Sequence, residues 1–192
     1  LLNNGIEFEE KKHSSDRILQ SDEVIKSPGI PDEAPIIKEI KEKGINIIDE
    51  LEFAYRYTDA TLICVTGSNG KTTTTSIIYH ILKNAGKNVG IGGNIGKSFA
   101  RQVALYDYDV YALEISSFQL DYLQEFKADT AILCNITPDH LDRYHYNFEE
   151  YAKSKMRILQ NQTEQDVFIY NMDDEMTQYM MDKTTIKAKQ YA

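Results

Sequence analysis

The run Leu62-Ile63-Cys64-Val65-Thr66-Gly67-Ser68-Asn69-Gly70-Lys71-Thr72-Thr73 constrains this chain more than any other stretch. An apolar segment passes through a glycine-bearing turn into a helix start, which aims backbone N–H groups and the positive end of the helix dipole at one place, where phosphate oxygens can sit. The glycines let the backbone come close to a ligand, Lys71 has the reach for β- and γ-phosphates, and the Thr72 hydroxyl suits magnesium. Gly67, Ser68, Asn69, Gly70, Lys71, Thr72 and Thr73 are therefore the candidate nucleotide-binding residues. The match to G-x-x-x-x-G-K-[ST] is imperfect, because Val65 stands where the first glycine belongs. A plain strand-to-helix turn also uses glycine, but it rarely adds Lys-Thr-Thr at the helix start.

Around this turn the hydrophobic pattern is regular. Strands are expected at 61–66, 88–91, 109–114, 129–135 and, as the last clear one, 166–170; helices are expected at 71–85, 96–105 and 148–160. This alternation predicts an α/β fold: a mostly parallel sheet covered on both faces, in a central P-loop ATPase-like domain over 58–192. Residues 1–57 read as part of a smaller Rossmann-like α/β domain. Its elements are β-like runs at Gly5-Ile6-Glu7-Phe8 and Glu23-Val24-Ile25-Lys26, a Ser27-Pro28-Gly29-Ile30-Pro31 loop, a helix at 35–43, a strand at 45–48 and a short helix at 49–57. The chain opens at Leu1 in what reads as the middle of a unit, so a preceding segment is expected.

Composition narrows the function classes. A net charge of -9 over 192 residues argues against a protein that works by neutralising nucleic-acid phosphates. No apolar run approaches the roughly 20 residues that a membrane span needs. Cys64 and Cys134 each lie in an apolar run and read as inert core thiols, which fits a reducing cytoplasm. A monomer is expected. Charge runs such as Phe8 to Lys12 and Lys38 to Lys43 read as solvated faces.

In an open parallel sheet, ligands gather beyond the carboxyl ends of the strands, and three further loops there carry chemistry. Gly90-Ile91-Gly92-Gly93-Asn94-Ile95-Gly96 misses the dinucleotide fingerprint, because Ile95 occupies the third glycine position. It reads instead as a substrate loop with Asn94 as the hydrogen-bonding group, or as a structural turn. Glu114 ends a strand ahead of Ile115-Ser116-Ser117-Phe118-Gln119-Leu120 and is either a hard oxygen ligand for magnesium or a surface acid beside a helix cap made by Ser116 or Ser117. His140, within Asn135-Ile136-Thr137-Pro138-Asp139-His140-Leu141-Asp142-Arg143-Tyr144, is a metal or acid-binding candidate, although a lone loop histidine is usually neither. His13, His80 and His145 have no such setting.

Together the 66–73 turn, Gly92 to Gly96, Glu114 to Leu120 and Asn135 to Tyr144 resemble the Mur ligase family, and the Ser-Ser-Phe-Gln and Asp-His-Leu-Asp-Arg-Tyr stretches resemble its D-glutamate-adding branch. The resemblance implies an ATP-dependent ligase of peptidoglycan synthesis that joins D-glutamate to UDP-N-acetylmuramoyl-L-alanine through an acyl phosphate, in the bacterial cytoplasm. It implies two Mg2+ ions, with Lys71 on the phosphates, Thr72 and Glu114 at the first metal and His140 at the second. It also implies that Lys155, in Tyr151-Ala152-Lys153-Ser154-Lys155, carries a carbamate that binds metal; the residues alone do not distinguish Lys155 from its neighbour Lys153. Catalytic roles thus fall to Lys71, His140 and Lys155. Substrate contacts fall to Asn94, Ser116, Ser117 and Gln119, with Ser27, Pro28 and Gly29 at the uridine diphosphate. Proteins of this family are more than twice as long, so adenine and D-glutamate contacts lie outside this chain and the chain alone is expected to be inactive. The alternatives are another amide ligase of the superfamily, such as folylpolyglutamate synthase, or a nucleotide-binding module without ligase chemistry.

Overall fold

The computed structural model describes residues 5–10 and 12–192; Leu1 to Asn4, and Lys11 within the Phe8 to Lys12 charge run, lie outside the described residues. Six strands form one sheet in the order β4-β5-β3-β6-β7-β8: β3 (Thr61–Thr66), β4 (Val89–Gly93), β5 (Val110–Glu114), β6 (Thr130–Leu133), β7 (Val167–Tyr170) and β8 (Lys189–Tyr191). Every neighbouring pair is parallel. The chain leaves β3 for β4 on one side, returns through β5, and then crosses to β6 on the other side. The turn after β3 therefore opens at the point where the strand order reverses, the usual ligand position of such sheets.

Strand alternation builds one large core. Leu62, Cys64, Tyr111, Leu113, Ala131, Leu133 and Phe168 face it from the sheet and are almost fully buried. Helices α3 (Glu50–Tyr55), α5 (Phe99–Leu105) and α7 (Phe148–Met156) supply Leu51, Ala54, Phe99, Tyr151 and Ala152. The other face is covered less completely than the alternation predicts. Helix α4 (Lys71–Asn84) lies against β3, β4 and β5, fully burying only Thr75. Along the row Val65, Ile132, Ile169 and Tyr191, burial fades towards β8, where Tyr191 is 57% exposed.

The first part of the chain forms a separate two-stranded parallel sheet, β1 (Glu23–Ile25) beside β2 (Asn46–Ile48), crossed over by α2 (Pro35–Glu42). Ile37, Ile40 and Ile47 make a small apolar cluster of their own. Pro35 opens α2 at its first turn, where a missing N–H costs nothing. Gly5 to Phe8 is irregular rather than a strand, and α1 (Ser15–Ile18) was not legible in the sequence. Two further elements went unread: α8 (Glu175–Met181) and β8, whose Lys189, Gln190 and Tyr191 are all exposed and carry no apolar signal. The helix expected at 148–160 ends at Met156 and tightens into a 3-10 turn, Arg157–Leu159.

Helix α3 joins the two parts. Asp49 caps it by accepting the Leu51 N–H at 2.9 Å. Glu52, fully buried, accepts the backbone N–H groups of Gln124 (2.8 Å), Glu125 (3.0 Å) and Phe126 (3.0 Å), so one carboxylate closes the loop before β6. Removing it leaves three backbone donors without this partner, the Phe126 N–H among them buried. Glu52→Ala is expected to lower the unfolding free energy by about 2–4 kcal/mol, read as a fall in the urea midpoint with an unchanged denaturant slope.

Candidate active site

The turn after β3 is held by the loop after β6. Parallel register sets Thr66 beside Leu133, so the two chains emerge side by side. The Ser68 N–H donates to the Asn135 carbonyl (3.0 Å), and the Asn69 N–H donates to Asn135 Oδ1 (2.9 Å). Ser68 Oγ donates to the Thr137 carbonyl (2.7 Å), accepts the Thr137 N–H (2.9 Å), and meets the Tyr151 hydroxyl at 2.9 Å. Gly67, at φ 147°, sits so close that an added Cβ would lie 3.0 Å from Cys134 Cβ and 3.2 Å from the Asn135 nitrogen. Ser68 and Asn69 thus spend these groups on fixing the turn. The N–H groups left pointing outward are those at the start of α4, from Lys71 to Thr73, which have no intrahelical partner by construction.

Two lysines meet at this turn. Lys71 Nζ donates to the carbonyls of Gly67 (2.9 Å) and Ser68 (3.0 Å), and Lys155 Nζ donates to the same Gly67 carbonyl at 2.8 Å. Lys155 projects from α7 into the interior, 2% exposed, with its ammonium 4.6 Å from the centre of the Tyr151 ring. Burial, followed by the charge of Lys71, holds the Lys155 amine far below the ordinary lysine range, at about 7. Its neighbour Lys153 points outward and pairs with Glu149 at 3.0 Å.

Glu114 stands across the turn. It ends β5 in register with Val65 on one side and Gly93 on the other. Its Oε2 accepts the Thr72 hydroxyl at 2.6 Å, and its Oε1 accepts Asn94 Nδ2 at 2.8 Å. Gly93, at φ 87°, is fixed by crowding, since a Cβ there would lie 2.2 Å from the Glu114 carbonyl oxygen. The substrate-loop residue Asn94 is thereby a direct partner of the candidate metal acid, a pairing that spacing along the chain does not reveal.

The remaining candidates lie around this centre. Ser116 and Gln119 form a capping box at α6 (Ser117–Leu120), each side chain accepting from the other's backbone N–H. Ser117 is buried, and its carbonyl accepts the Ser154 hydroxyl at 2.9 Å. His140 is exposed, in a left-handed backbone conformation, 3.7 Å from Asp139 and with its ring 5.5 Å from Phe118. It is carried by the loop that Ser68 and Asn69 hold, but it makes no hydrogen bond to Glu114, Thr72 or Lys155. Ser27, Pro28 and Gly29 form a tight turn closed by the Ile30 N–H on the Ser27 carbonyl (3.0 Å).

A family description, Mur ligase middle domain, matches residues 65–192, well over half the chain. The chain belongs to the Mur ligase family. It is 57% identical over 187 residues to the UDP-N-acetylmuramoylalanine--D-glutamate ligase of Bacteroides fragilis, covering 97% of this chain and 42% of that protein. The Porphyromonas gingivalis ligase of the same name is 57% identical over 170 residues, 88% of this chain and 38% of that protein. The Mur ligase chain thus spans about two fifths of the curated relatives it matches. Among solved structures it shares its fold with the UDP-N-acetylmuramate:L-alanyl-gamma-D-glutamyl-meso-diaminopimelate ligase of Neisseria meningitides (TM-score 0.62, 18% identity, 92% of this chain and 60% of that one). It also shares it with MurF ligase from Thermotoga maritima in complex with ADP (TM-score 0.58, 18% identity, 80% and 44%).

Among the described residues of this Mur ligase chain, no three His, Cys, Asp or Glu side chains converge closely enough to hold a metal ion by themselves. The donor set nonetheless suits Mg2+, because the Thr72 hydroxyl and Glu114 carboxylate are hard oxygens that already touch. Mg2+ characteristically keeps water and takes one or two carboxylates beside substrate phosphates. No helix among the described residues is long and apolar enough to cross a membrane.

The depressed Lys155 pKa has a sign. The unfolded amine near 10.5 holds its proton over a range where the folded amine, at about 7, has lost it, so stability rises with pH across that interval. Unfolding free energies of the parent should therefore climb between pH 7 and pH 10 relative to Lys155→Met, in which that part of the slope disappears.

Proposed function

We propose that the full-length protein carrying this chain is an ATP-dependent ligase that joins D-glutamate to UDP-N-acetylmuramoyl-L-alanine in bacterial peptidoglycan precursor synthesis. The observation that carries the reading is the meeting of Lys71, Lys155 and the Thr72–Glu114 pair around the Gly67 turn. The Lys71 ammonium rests on the Gly67 and Ser68 carbonyls rather than on a carboxylate, and in this reading the terminal phosphates of ATP lie beside it. The near-identical naming of relatives such as those of Bacteroides fragilis and Bacteroides thetaiotaomicron, the latter 55% identical over 186 residues, supports the choice of substrates.

In this reading residues 58–192 bind ATP, and residues 1–57 belong to the unit that holds the UDP-substrate, with Ser27, Pro28 and Gly29 at its diphosphate. The separate sheets and separate apolar clusters support the division, although α3 packs Leu51 and Ala54 into the larger core. The α4 N-terminus and Lys71 receive the phosphates. The substrate carboxylate attacks the γ-phosphorus and ADP leaves; the amine of D-glutamate then attacks the acyl phosphate carbon, and inorganic phosphate departs with one amide bond formed. Alignment and charge neutralisation are what such a transfer asks of a protein, so no protein nucleophile is needed.

Thr72 and Glu114 would hold one Mg2+, and His140 with a carbamate on Lys155 a second, and these ions supply charge neutralisation at the phosphates. Asn94 orients Glu114 for that role. Carbamate formation requires a neutral amine to attack carbon dioxide, and a lysine whose pKa is held at about 7 offers one at cytoplasmic pH. Substrate contacts are assigned to the Ser116, Ser117 and Gln119 stretch, whose backbone the capping box fixes. We further propose a cytoplasmic monomer.

Full-length protein with Mg2+, ATP, UDP-N-acetylmuramoyl-L-alanine and labelled D-glutamate should yield labelled UDP-muramoyl-dipeptide. Glu114→Ala should cut turnover by at least about a hundredfold, the scale of losing one preorganised charge-stabilising group. A folate substrate used in preference to the UDP-sugar would favour the superfamily alternative exemplified by E. coli FolC in complex with DHPP and ADP, whose fold is also similar (TM-score 0.52, 15% identity, 74% of this chain and 46% of that one). Metal-dependent ATP turnover unchanged in Glu114→Ala would favour a module without ligase chemistry. The 192-residue chain by itself should form no product.

A further inference from the structure

Arg143 has no part in the chemistry above, yet it links its own loop to two other segments, the helix that carries Phe118 and the Ser27–Ile30 turn. It lies in the 3-10 turn Leu141–Tyr144, directly after His140. Its guanidinium lies over the Phe118 ring, 4.6 Å from the centroid, and Phe118 in turn packs against the His140 ring at 5.5 Å. From there Nη2 reaches across to the first part of the chain, where it donates to the carbonyls of Pro28 (3.3 Å) and Ile30 (3.4 Å). These belong to the Ser27–Ile30 turn. A second tie runs beside it: the Tyr122 hydroxyl donates to Asp32, which also pairs with the buried Lys26 at 3.2 Å.

The chemistry suits a clamp. The turn presents two carbonyls, and one terminal guanidinium nitrogen meets both with its two N–H groups while the flat face of the guanidinium rests on an aromatic ring. Half-burial of Arg143 and the low polarity of Phe118 beneath it strengthen bonds that are long by themselves. Without the clamp, a ligand spanning both segments must order the turn itself, which lowers its affinity.

We propose that Arg143 is a positioning residue that fixes the Ser27–Ile30 turn against the His140 loop, so that the diphosphate end of the substrate and the site of phosphoryl transfer keep one span. The inference rests on the proposed reading of the Ser27–Ile30 turn as a substrate contact. Arg143 touches no phosphate and no reacting atom in that reading; its effect passes through the turn.

The test is calorimetric titration of the full-length protein with UDP-N-acetylmuramoyl-L-alanine and, separately, with Mg·ADP. Arg143→Ala should weaken the UDP-substrate by about tenfold, the scale of one charge-assisted hydrogen bond, and leave ADP binding unchanged. Arg143→Lys should fall between, since it keeps the charge but loses the planar group that lies over Phe118 and the reach of Nη2 to both carbonyls. Wild-type affinity for the UDP-substrate in Arg143→Ala, or an equal loss for ADP, overturns the proposal. If Arg143→Ala does not fold, Arg143→Lys decides: a partial loss confined to the UDP-substrate supports the clamp, and unaltered affinity overturns it. Failure of the parent protein to bind the UDP-substrate refutes the functional reading instead.

Discussion

The carbonyl of Gly67 is the acceptor on which the site is organised. Lys71 reaches it from the first turn of its own helix, and Lys155 reaches it from α7, 88 residues further along the chain. Both bonds need the carbonyl turned inward, and the contact of Gly67 with Cys134 and Asn135 leaves no room for a side chain to turn it elsewhere. Burial, and then the charge of Lys71 on the same acceptor, disfavour a proton on Lys155, so one of the two amines gives up its charge readily.

Parallel strands make this economical. β3, β5 and β6 end at the same edge, and register alone brings Val65 level with Glu114 and Thr66 level with Leu133. Residues dozens apart in sequence then meet without long loops: Thr72 with Glu114, Ser68 with Thr137, Asn94 with Glu114. Thr72, Asn94, Glu114 and Ser68 are each held by another residue of the edge, which is preorganisation of the kind that phosphoryl transfer rewards.

The smaller first part of the chain is joined to this edge by polar ties as well as by Leu51 and Ala54 of α3 in the larger core. Glu52 closes one loop through three backbone donors, Tyr122 and Asp32 meet at another point, and Arg143 crosses to the Ser27–Ile30 turn. Hydrogen bonds of this kind set angle and distance, where an apolar contact sets only proximity. In the proposed reading, a substrate held at the Ser27–Ile30 turn and reacting at the Gly67 turn depends on that distance.

Local pattern carried most of the fold and one part of the site. The turn from Gly67 to Thr73 is recognisable because phosphate binding by a helix start uses consecutive residues, and the apolar runs of β3, β5 and β6 are recognisable because burial on both faces demands them. Gly5 to Phe8 misled because an alternating run without a neighbouring strand has no ladder to join, and β8 was silent because an edge strand needs no apolar side chains. Lys155 and Lys153 are indistinguishable in sequence; only the rotation of α7 against the core turns one inward to a depressed pKa and leaves the other on Glu149. The sequence by itself thus determined a parallel α/β chain with a glycine turn at a helix start, of the kind that suits phosphate. Tertiary structure decided which lysine is buried, which amide holds Glu114 and which arginine spans the two parts, because those are contacts between segments far apart along the chain, and only strand register and helix packing bring them together.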